Sequence, residues 1–209
     1  MHDTEAPPWM RWVRALQAIA QTGLTYVKDP YDAERYEQIR EIAAEMLAHG
    51  TDADIGVIRD LLTGERGYPT PKVDVRGVVF EGGSVLLVRE RAEGLWSLPG
   101  GWANPGDSPS EVATREIREE SGCLAHPTRL LAVFDRERHG HPPHLFPIYK
   151  LFFACERIGG EMRESIETDG IAFFPVTTLP ALSLGRVTED EIALLFAIYS
   201  DPLRPAAFD

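Results

Sequence analysis

Three glutamates share one face of a predicted helix. Glu116, Glu119 and Glu120 are close in sequence, and at about 100° per residue their side chains fall within an arc of about 100°. Like charges placed this closely repel one another, and a divalent cation converts that repulsion into attraction. Carboxylate oxygens are the ligands that Mg²⁺ and Mn²⁺ prefer. The spacing therefore predicts a cation site on this face of the helix.

The residues on either side indicate where this helix begins and ends. A glycine-rich loop, Gly100-Gly101, precedes it in the chain. Ser108 is a natural N-cap, Pro109 suits the first helical position, and Glu111 completes a capping box. Gly122 is a typical helix stop. We predict a glycine-rich loop that leads into a short helix ending at Gly122.

The loop and the helix together resemble the signature motif of the Nudix hydrolases, G-x5-E-x7-R-E-U-x-E-E-x-G-U, in which U is an apolar residue. The residues that match are Gly101, Arg115, Glu116, Ile117, Glu119, Glu120, Gly122 and Cys123. Asp107 stands where the motif has its first glutamate. It keeps the charge but is one methylene shorter. Glu111 does not replace it, because helical geometry points Glu111 about 180° away from Glu120.

The resemblance implies hydrolysis of the pyrophosphate in a nucleoside diphosphate linked to a second group. Such a reaction needs electrostatic stabilisation, a positioned water and a proton acceptor, and carboxylate-bound divalent ions supply the first two. By the same resemblance, Mg²⁺ or Mn²⁺ is held by Glu116, Glu119 and Glu120, with the backbone carbonyl of Gly100 as a further ligand. Arg115 then orients the carboxylates, and Glu119 is also carried over as catalytic.

The general base of this family lies outside the motif in many members. Glu167 is our candidate, because it precedes a predicted strand that packs near the site. Glu164 and Asp169 are alternatives, and Glu167 as an ordinary solvated loop acid is an equally good interpretation.

Substrate contacts are assigned from position alone. Arg76 and Arg89 lie on strands that lead toward the glycine loop, where they could hold phosphate or serve a structural role. Trp102 could stack on a base or ribose, or pack in the protein. The polar loop 135–144 joins two strands, a usual place for specificity. Its three histidines suggest zinc only weakly, because their spacing is uneven.

Composition and charge narrow the class of protein. The chain has 209 residues, 44% of them hydrophobic, and a formal net charge of −12. A net negative charge repels the phosphate backbone of a nucleic acid, so we expect no nucleic-acid partner. There is no apolar leader and no run of about 20 apolar residues, so we expect no membrane partner. The two cysteines lack zinc spacing, and a reducing cytoplasm is the expected location.

Hydrophobic periodicity divides the chain into two predicted domains. The predicted N-terminal domain is 1–63, in which residues 7–63 are predicted to be helical, with a first helix broken at Gly23 and 28–30, a second from Pro30 to Gly50, and a third shorter one. Residues 64–71 are rich in glycine and proline and predict a linker. Residues 72–209 change to strand periodicity around the glutamate helix. The predicted strands are 73–80, 84–89, 130–134, 147–153 and 170–175, residues 95–98 lead into the motif, and a closing helix is predicted at 188–199.

These elements favour a mixed sheet flanked by helices, an α/β or α+β class. The Nudix resemblance implies, more specifically, the α/β/α sandwich of that family over 72–209.

The helices followed by Tyr68-x-Thr70-Pro71-Lys72 resemble a bacterial Nudix subgroup with an N-terminal helical extension, associated with ADP-ribose and CDP-choline. Because the N-terminal helices have aromatic and aliphatic faces, we expect a homodimer formed through them.

Two other functions remain open at this point. One is an enzyme that removes oxidised nucleoside triphosphates such as 8-oxo-dGTP. The other is a non-catalytic Nudix-fold sensor that binds a nucleotide and signals through its helical segment. The complete Arg115-Glu116…Glu119-Glu120 series argues against a sensor.

Overall fold

A computed structural model describes residues 7–209, so residues 1–6 of the predicted N-terminal domain lie outside the described residues. The described chain forms two compact units. The helical unit contains residues 7–71 together with the short segment Pro143–Phe146. The sheet unit contains Lys72–Pro142 and Pro147–Asp209. The helical unit therefore includes a segment that the sequence places in a loop between two strands.

The helical unit contains α1 (Pro8–Tyr26), α2 (Pro30–Thr51) and α3 (Ile55–Gly64). The predicted start of α2 is confirmed, because the Asp29 side chain accepts hydrogen bonds from the first backbone N–H groups. The predicted break at Gly23 is wrong, since α1 continues to Tyr26. A Cβ at Gly23 would overlap the ring of Tyr36, so this glycine allows α1 and α2 to pack closely.

The core of the helical unit is small and aliphatic. Its buried residues are Val13, Ala43, Ala44, Leu47, Ile58 and Leu62. Leu145, from the short segment Pro143–Phe146, packs against this core. Ile42, on α2, is 51% exposed because it faces away from this core.

The sheet unit contains two sheets. The first has the order β5-β1-β7-β6-β9 and is mixed, because β1 pairs with β7 and β6 with β9 in parallel while the other pairs are antiparallel. The second is antiparallel, with β3 paired to β2, β4 and β8. The bounds are β1 Lys72–Val78, β2 Phe80–Glu81, β3 Ser84–Glu90, β4 Trp96–Ser97, β5 Gly100–Trp102, β6 Cys123–Asp135, β7 Ile148–Gly160, β8 Thr168–Pro175 and β9 Ala207–Phe208.

Two helices cover these sheets, and each has its own core. Helix α4 (Pro109–Ser121) packs through Val112, Ala113 and Ile117 against the β1 residues that include Val75. Helix α5 (Glu189–Tyr199) packs on the second core, which contains Val78 and Phe152. Because β1 contributes to both cores, it lies between them, as strand alternation requires. The predicted mixed α/β fold with a preceding helical region is confirmed.

The strands β6 and β7 form a hairpin, and both strands are longer than predicted. The sequence indicated strands at 130–134 and 147–153, whereas the observed strands are Cys123–Asp135 and Ile148–Gly160. Register shifts interrupt the β6–β7 pairing at several points. Bulges of this kind break the simple alternation by which a strand is recognised in a sequence.

Within residues 7–209, no helix has the combination of length and apolar character that crossing a membrane requires.

Candidate active site and metal centre

Helix α4 carries the three glutamates and is closed at both ends by the predicted caps. The Ser108 hydroxyl accepts a hydrogen bond from the N–H of Glu111, whose carboxylate accepts one from the N–H of Ser108 at 2.9 Å. At the other end, Gly122 has a φ of 74° and its N–H donates to the Arg118 carbonyl. These caps fix which residues of the helix face the loop.

The glycine loop lies directly against two of the glutamates. The N–H of Gly100 donates to Oε2 of Glu120 at 3.0 Å. A Cβ added to Gly100 would overlap the Val75 carbonyl, and one added to Gly101 would lie 3.2 Å from Oε1 of Glu116. Gly100 is therefore required where the loop backbone approaches β1, and Gly101 leaves room for the carboxylate of Glu116 on the helix. The carboxylates of Glu116 and Glu120 thus both lie beside the loop backbone.

Two of the clustered glutamates are removed from water. The residue Glu120 is only 5% exposed. Burial raises its pKa to about 8, against the opposing effects of Arg76 and of the Gly100 N–H, and Glu90 and Glu116 raise it further. Burial also raises the pKa of Glu116, although Arg115 lowers it. Paired carboxylates that are costly to ionise are suited to a divalent cation, which would compensate both charges.

Arg115 is bound to the remaining acids of the motif. Its Nη1 donates to Oε1 of Glu116 at 2.7 Å and lies 3.5 Å from Oε2 of Glu119. Its Nη2 lies 3.5 Å from Oδ2 of Asp107, which is an ion-pair distance. The shorter Asp107 thus still reaches the arginine.

No three His, Cys, Asp or Glu side chains of the described chain are grouped closely enough to hold a metal ion. The contacts to Arg115 draw Glu116 and Glu119 toward the guanidinium. The donor chemistry nevertheless fits a hard divalent cation, because every candidate ligand (Glu116, Glu120 and the Gly100 carbonyl) is an oxygen.

The histidines of the loop 135–144 have separate partners. His139 stacks on Phe134 with ring centroids 3.7 Å apart, and the buried His141 contacts Glu191 at 2.9 Å. His144 belongs to the helical unit. The loop thus has structural contacts at each histidine, and nothing here supports the weak zinc interpretation.

The predicted substrate residues have different surroundings. Arg76 is 4% exposed, with two nitrogens on Asp74 and Nη1 donating to the Leu98 carbonyl at 3.0 Å. Arg89 pairs with Asp169 at 2.7 Å and is partly exposed. Trp102 is 50% exposed on β5. The side chains of Arg89 and Trp102 are thus accessible from solvent, whereas that of Arg76 is not.

Glu167, the candidate base, lies in an exposed turn. Its N–H donates to Oγ of Ser165 and its carbonyl accepts from the N–H of Arg91. The next residue, Thr168, donates its hydroxyl to the backbone carbonyl of Glu120 at 2.6 Å. The turn is therefore tied to the helix that carries the motif, through the residue that follows Glu167.

Sequence reasoning missed a buried group of charged residues beside the glycine loop. Nζ of Lys150 donates to Oδ2 of Asp74 at 2.7 Å, and Asp74 binds Arg76. Although burial opposes ionisation, Arg76 and Lys150 lower the pKa of Asp74 to about 2. The signal was present as single charged residues inside apolar strands, Val73-Asp74-Val75 and Tyr149-Lys150-Leu151. Because Arg76 also binds the Leu98 carbonyl, this group supports the loop just before Gly100.

We expect the metal-free protein to lose stability as the pH rises from 4.5 toward about 8. In that range the folded state keeps a proton on Glu120 that the unfolded chain has released, so raising the pH favours unfolding. Denaturant unfolding at several pH values in the presence of a chelator measures this slope.

The matched variant is Glu120→Gln, which removes the titrating group and is expected to flatten the slope. Added Mg²⁺ should stabilise the wild-type protein more at pH 8 than at pH 6, because at the lower pH it must displace the proton. Identical pH profiles for wild type and Glu120→Gln would contradict this account.

Comparison with known protein families identifies both parts of the chain. Residues 70–195 match the NUDIX domain. Residues 7–62 match a domain described as the UDP-X-like, N-terminal oligomerisation domain of Nudix proteins. The two matches together cover the helical region and most of the sheet unit.

Individual relatives match over nearly the full length. A Bacillus subtilis (strain 168) protein, named provisionally as an ADP-ribose pyrophosphatase, is 48% identical over 201 residues, covering 96% of this chain and 97% of that protein. The crystal structure of a UDP-X diphosphatase is similar with a TM-score of 0.64 and 37% identity, covering 96% and 98% of the two chains. An ADP-ribose pyrophosphatase from Streptococcus suis 89-1591 has a TM-score of 0.62 and 34% identity, covering 67% of this chain and 100% of that one.

Proposed function

Because the chain belongs to the Nudix family and is a pyrophosphohydrolase of nucleoside diphosphate derivatives, we propose that its substrate is ADP-ribose, CDP-choline or a close relative. Cleavage of the pyrophosphate would release AMP or CMP. The observation that carries the proposal is the loop-to-helix contact between Gly100 and the buried Glu120. The chain that contains this contact is similar, over 96% of its length, to a relative named as an ADP-ribose pyrophosphatase.

Nudix hydrolases generally require divalent metal ions, and we propose Mg²⁺ or Mn²⁺ here. Glu116, Glu119, Glu120 and the carbonyl of Gly100 would hold the cation, which supplies charge stabilisation at phosphorus and a positioned water. The raised pKa values of Glu116 and Glu120 support this assignment. Glu116 already lies beside the loop, and cation binding would compete with the contacts that Glu116 and Glu119 make with Arg115.

Side chains of the protein would then position the acidic residues of the motif and accept a proton. Arg115 holds the motif acids in place, and Glu119, whose side chain is half exposed beside Arg115, would contact the reacting water. We propose Glu167 as the proton acceptor, since its carboxylate accepts no hydrogen bond from the residues described and its turn is anchored to Glu120 through Thr168.

Substrate recognition is divided among exposed and buried residues. Arg89 and Trp102 are exposed enough to contact the nucleotide, by charge and by stacking respectively. The nitrogens of Arg76 are already engaged by Asp74 and Leu98, so we assign it to positioning the glycine loop in place of direct phosphate binding.

A substrate panel tests the proposal. ADP-ribose, CDP-choline, UDP-linked sugars and 8-oxo-dGTP are assayed with Mg²⁺ and with Mn²⁺, and ranked by kcat/KM. The proposal requires AMP or CMP as products and a preference for the diphosphate derivatives. A higher kcat/KM on 8-oxo-dGTP would support the oxidised-nucleotide alternative, and tight binding of ADP-ribose without cleavage would support the sensor.

We further propose a homodimer formed through the N-terminal helices. On α1, Trp12, Ile19 and Tyr26 recur every seven residues and are 60%, 53% and 65% exposed. A heptad-spaced apolar stripe on an exposed helix face is typical of helix pairing. The match of residues 7–62 to an oligomerisation domain supports the same interface.

The double substitution Trp12→Glu, Ile19→Glu is expected to convert the dimer to monomer, because it would bury charge in the interface. Light scattering at micromolar concentration measures the mass. Leu203→Glu, at a 92% exposed position of the sheet unit, is the matched control and should leave the dimer intact. A monomeric wild-type protein would remove the proposal.

We retain two further assignments as proposals. The domain division 1–63, 64–71 and 72–209 is supported by the absence of helix or strand at 65–71. A cytoplasmic location is supported by Cys123 and Cys155, which are both free and buried.

A further inference from the structure

Arg186 lies in the segment that joins β8 to α5, and its backbone is fixed to the buried charged group. Its carbonyl accepts a hydrogen bond from Nζ of Lys150 at 2.6 Å, and the same Nζ binds Asp74. Its N–H donates to the Ser183 carbonyl at 2.8 Å. The position of the Cα is therefore set by the same residues that support the glycine loop.

The side chain of Arg186 is much less constrained than its backbone. Its Nε lies 3.4 Å from Oε1 of Glu90, and its Nη2 lies 4.0 Å from Oε1 of Glu93. Across residues 7–209 this guanidinium donates no hydrogen bond, and its buried Nε has the ion-pair contact to Glu90 but no hydrogen-bond partner. A buried N–H without a hydrogen-bond acceptor lowers the free energy of unfolding. Its presence therefore indicates an acceptor that the chain itself does not provide.

The neighbouring arginines differ in this respect. Arg76 binds Asp74 and Leu98, Arg89 binds Asp169, Arg91 binds the carbonyls of Ser165 and Thr168, and Arg115 binds Glu116. In each case the guanidinium donates at least one hydrogen bond to the protein, although Nη2 of Arg115 donates none and lies at ion-pair distance from Asp107. Of these five arginines, Arg186 is the one whose side chain donates no hydrogen bond to residues 7–209.

The place of Arg186 is next to the motif. Its nearest carboxylate, Glu90, is buried and receives a hydrogen bond from Oγ of Ser97 at 2.8 Å. Glu90 pairs across the sheet with Thr168, which is bonded to the carbonyl of Glu120. A short series of contacts thus leads from the arginine to the glutamate helix.

The negative charge around Arg186 favours a positively charged side chain at this position. Glu90 and Glu93 lie beside Arg186, Glu90 also acts electrostatically on Glu120, and the net charge of the chain is −12. A pyrophosphate adds further negative charge, and a planar guanidinium matches phosphate oxygens in a two-pronged geometry. On the basis of the proposed function, we propose that Arg186 donates to an oxygen of the substrate pyrophosphate and exchanges its loose contacts to Glu90 and Glu93 for that bond.

The test uses Arg186→Gln and Arg186→Lys in the full-length protein, with Arg204→Gln as a control at an exposed position. Calorimetry in Mg²⁺ measures the Kd of α,β-methylene-ADP, a diphosphate that the enzyme does not cleave, and of adenosine. We expect Arg186→Gln to weaken α,β-methylene-ADP binding about 10- to 100-fold, the range for a hydrogen bond between charged groups. Arg186→Lys should be intermediate, and adenosine and Mn²⁺ binding should be unchanged.

Steady-state kinetics on the substrate that the wild type prefers give the second readout. KM should rise by a similar factor while kcat changes less, which a purely structural role would not produce. Unchanged Kd and KM in a wild type that cleaves its substrates would overturn the inference, and so would an equal loss of adenosine binding. If the wild type cleaves nothing but Arg186→Gln still loses diphosphate affinity, the proposed function fails and this contact stands.

Discussion

Replacing Glu120 with glutamine is expected to lower kcat at saturating Mg²⁺ by at least about 100-fold. The amide keeps the size of the side chain and an oxygen that can accept from the Gly100 N–H, so the loop contact survives. What is lost is the negative charge that would bind the cation. Steady-state assays on the preferred nucleoside diphosphate derivative, with Mn²⁺ affinity measured in parallel, give both quantities.

The same substitution should not destabilise the protein. Burial raises the pKa of Glu120 to about 8, so a neutral amide removes an unfavourable charge from the metal-free protein at alkaline pH. Loss of turnover with retained or increased melting temperature therefore separates a metal role from a folding role. Glu156→Gln, an exposed glutamate on β7, is the control. Undiminished turnover in Glu120→Gln would contradict the assignment.

Replacing Asp74 with alanine is expected to destabilise the protein by about 3–5 kcal/mol. Asp74 is 6% exposed and is the shared partner of Arg76 and Lys150. Its removal leaves two buried cations without their counterion, and it releases Arg76, which supports the Leu98 carbonyl. Urea unfolding in the presence of a chelator measures the loss.

Asp74→Asn preserves the shape of the side chain and tests the charge alone, and Asp60→Ala, on the exposed side of α3, is the surface control.

The pKa of Asp74 is lowered from 3.8 to about 2. Its contribution to stability is therefore present above pH 3.8 and is lost as the pH falls toward 2. A change of less than about 0.5 kcal/mol for Asp74→Ala would show that the buried group carries no net stability.

The features that the sequence predicts well depend on local chemistry. The caps at Ser108 and Gly122 and the start of α2 at Pro30 all follow from a few adjacent residues. The motif also leads us to expect Gly100 close to Glu120, although the observed contact is made by the Gly100 N–H and not by the carbonyl predicted as a metal ligand. Such features need no knowledge of distant parts of the chain.

The features that the sequence did not reveal depend on pairing between distant strands. Asp74 and Lys150 are 76 residues apart, and only the parallel pairing of β1 with β7 brings them together. The docking of Pro143–Phe146 with the helical unit is equally non-local. Arg186 gave no signal, because an isolated arginine in a loop is ordinary. Gly23 misled the helix prediction, since its reason lies in the ring of Tyr36 on another helix.

The central claim is that the acidic face of α4 and the glycine loop hold a divalent cation. Anomalous diffraction from crystals soaked in Mn²⁺ measures this directly. We predict a manganese peak bonded to the carboxylates of Glu116 and Glu120 and to the carbonyl of Gly100. A fully soaked crystal with no peak beside these residues, or with its strongest peak elsewhere on the protein, would contradict the account.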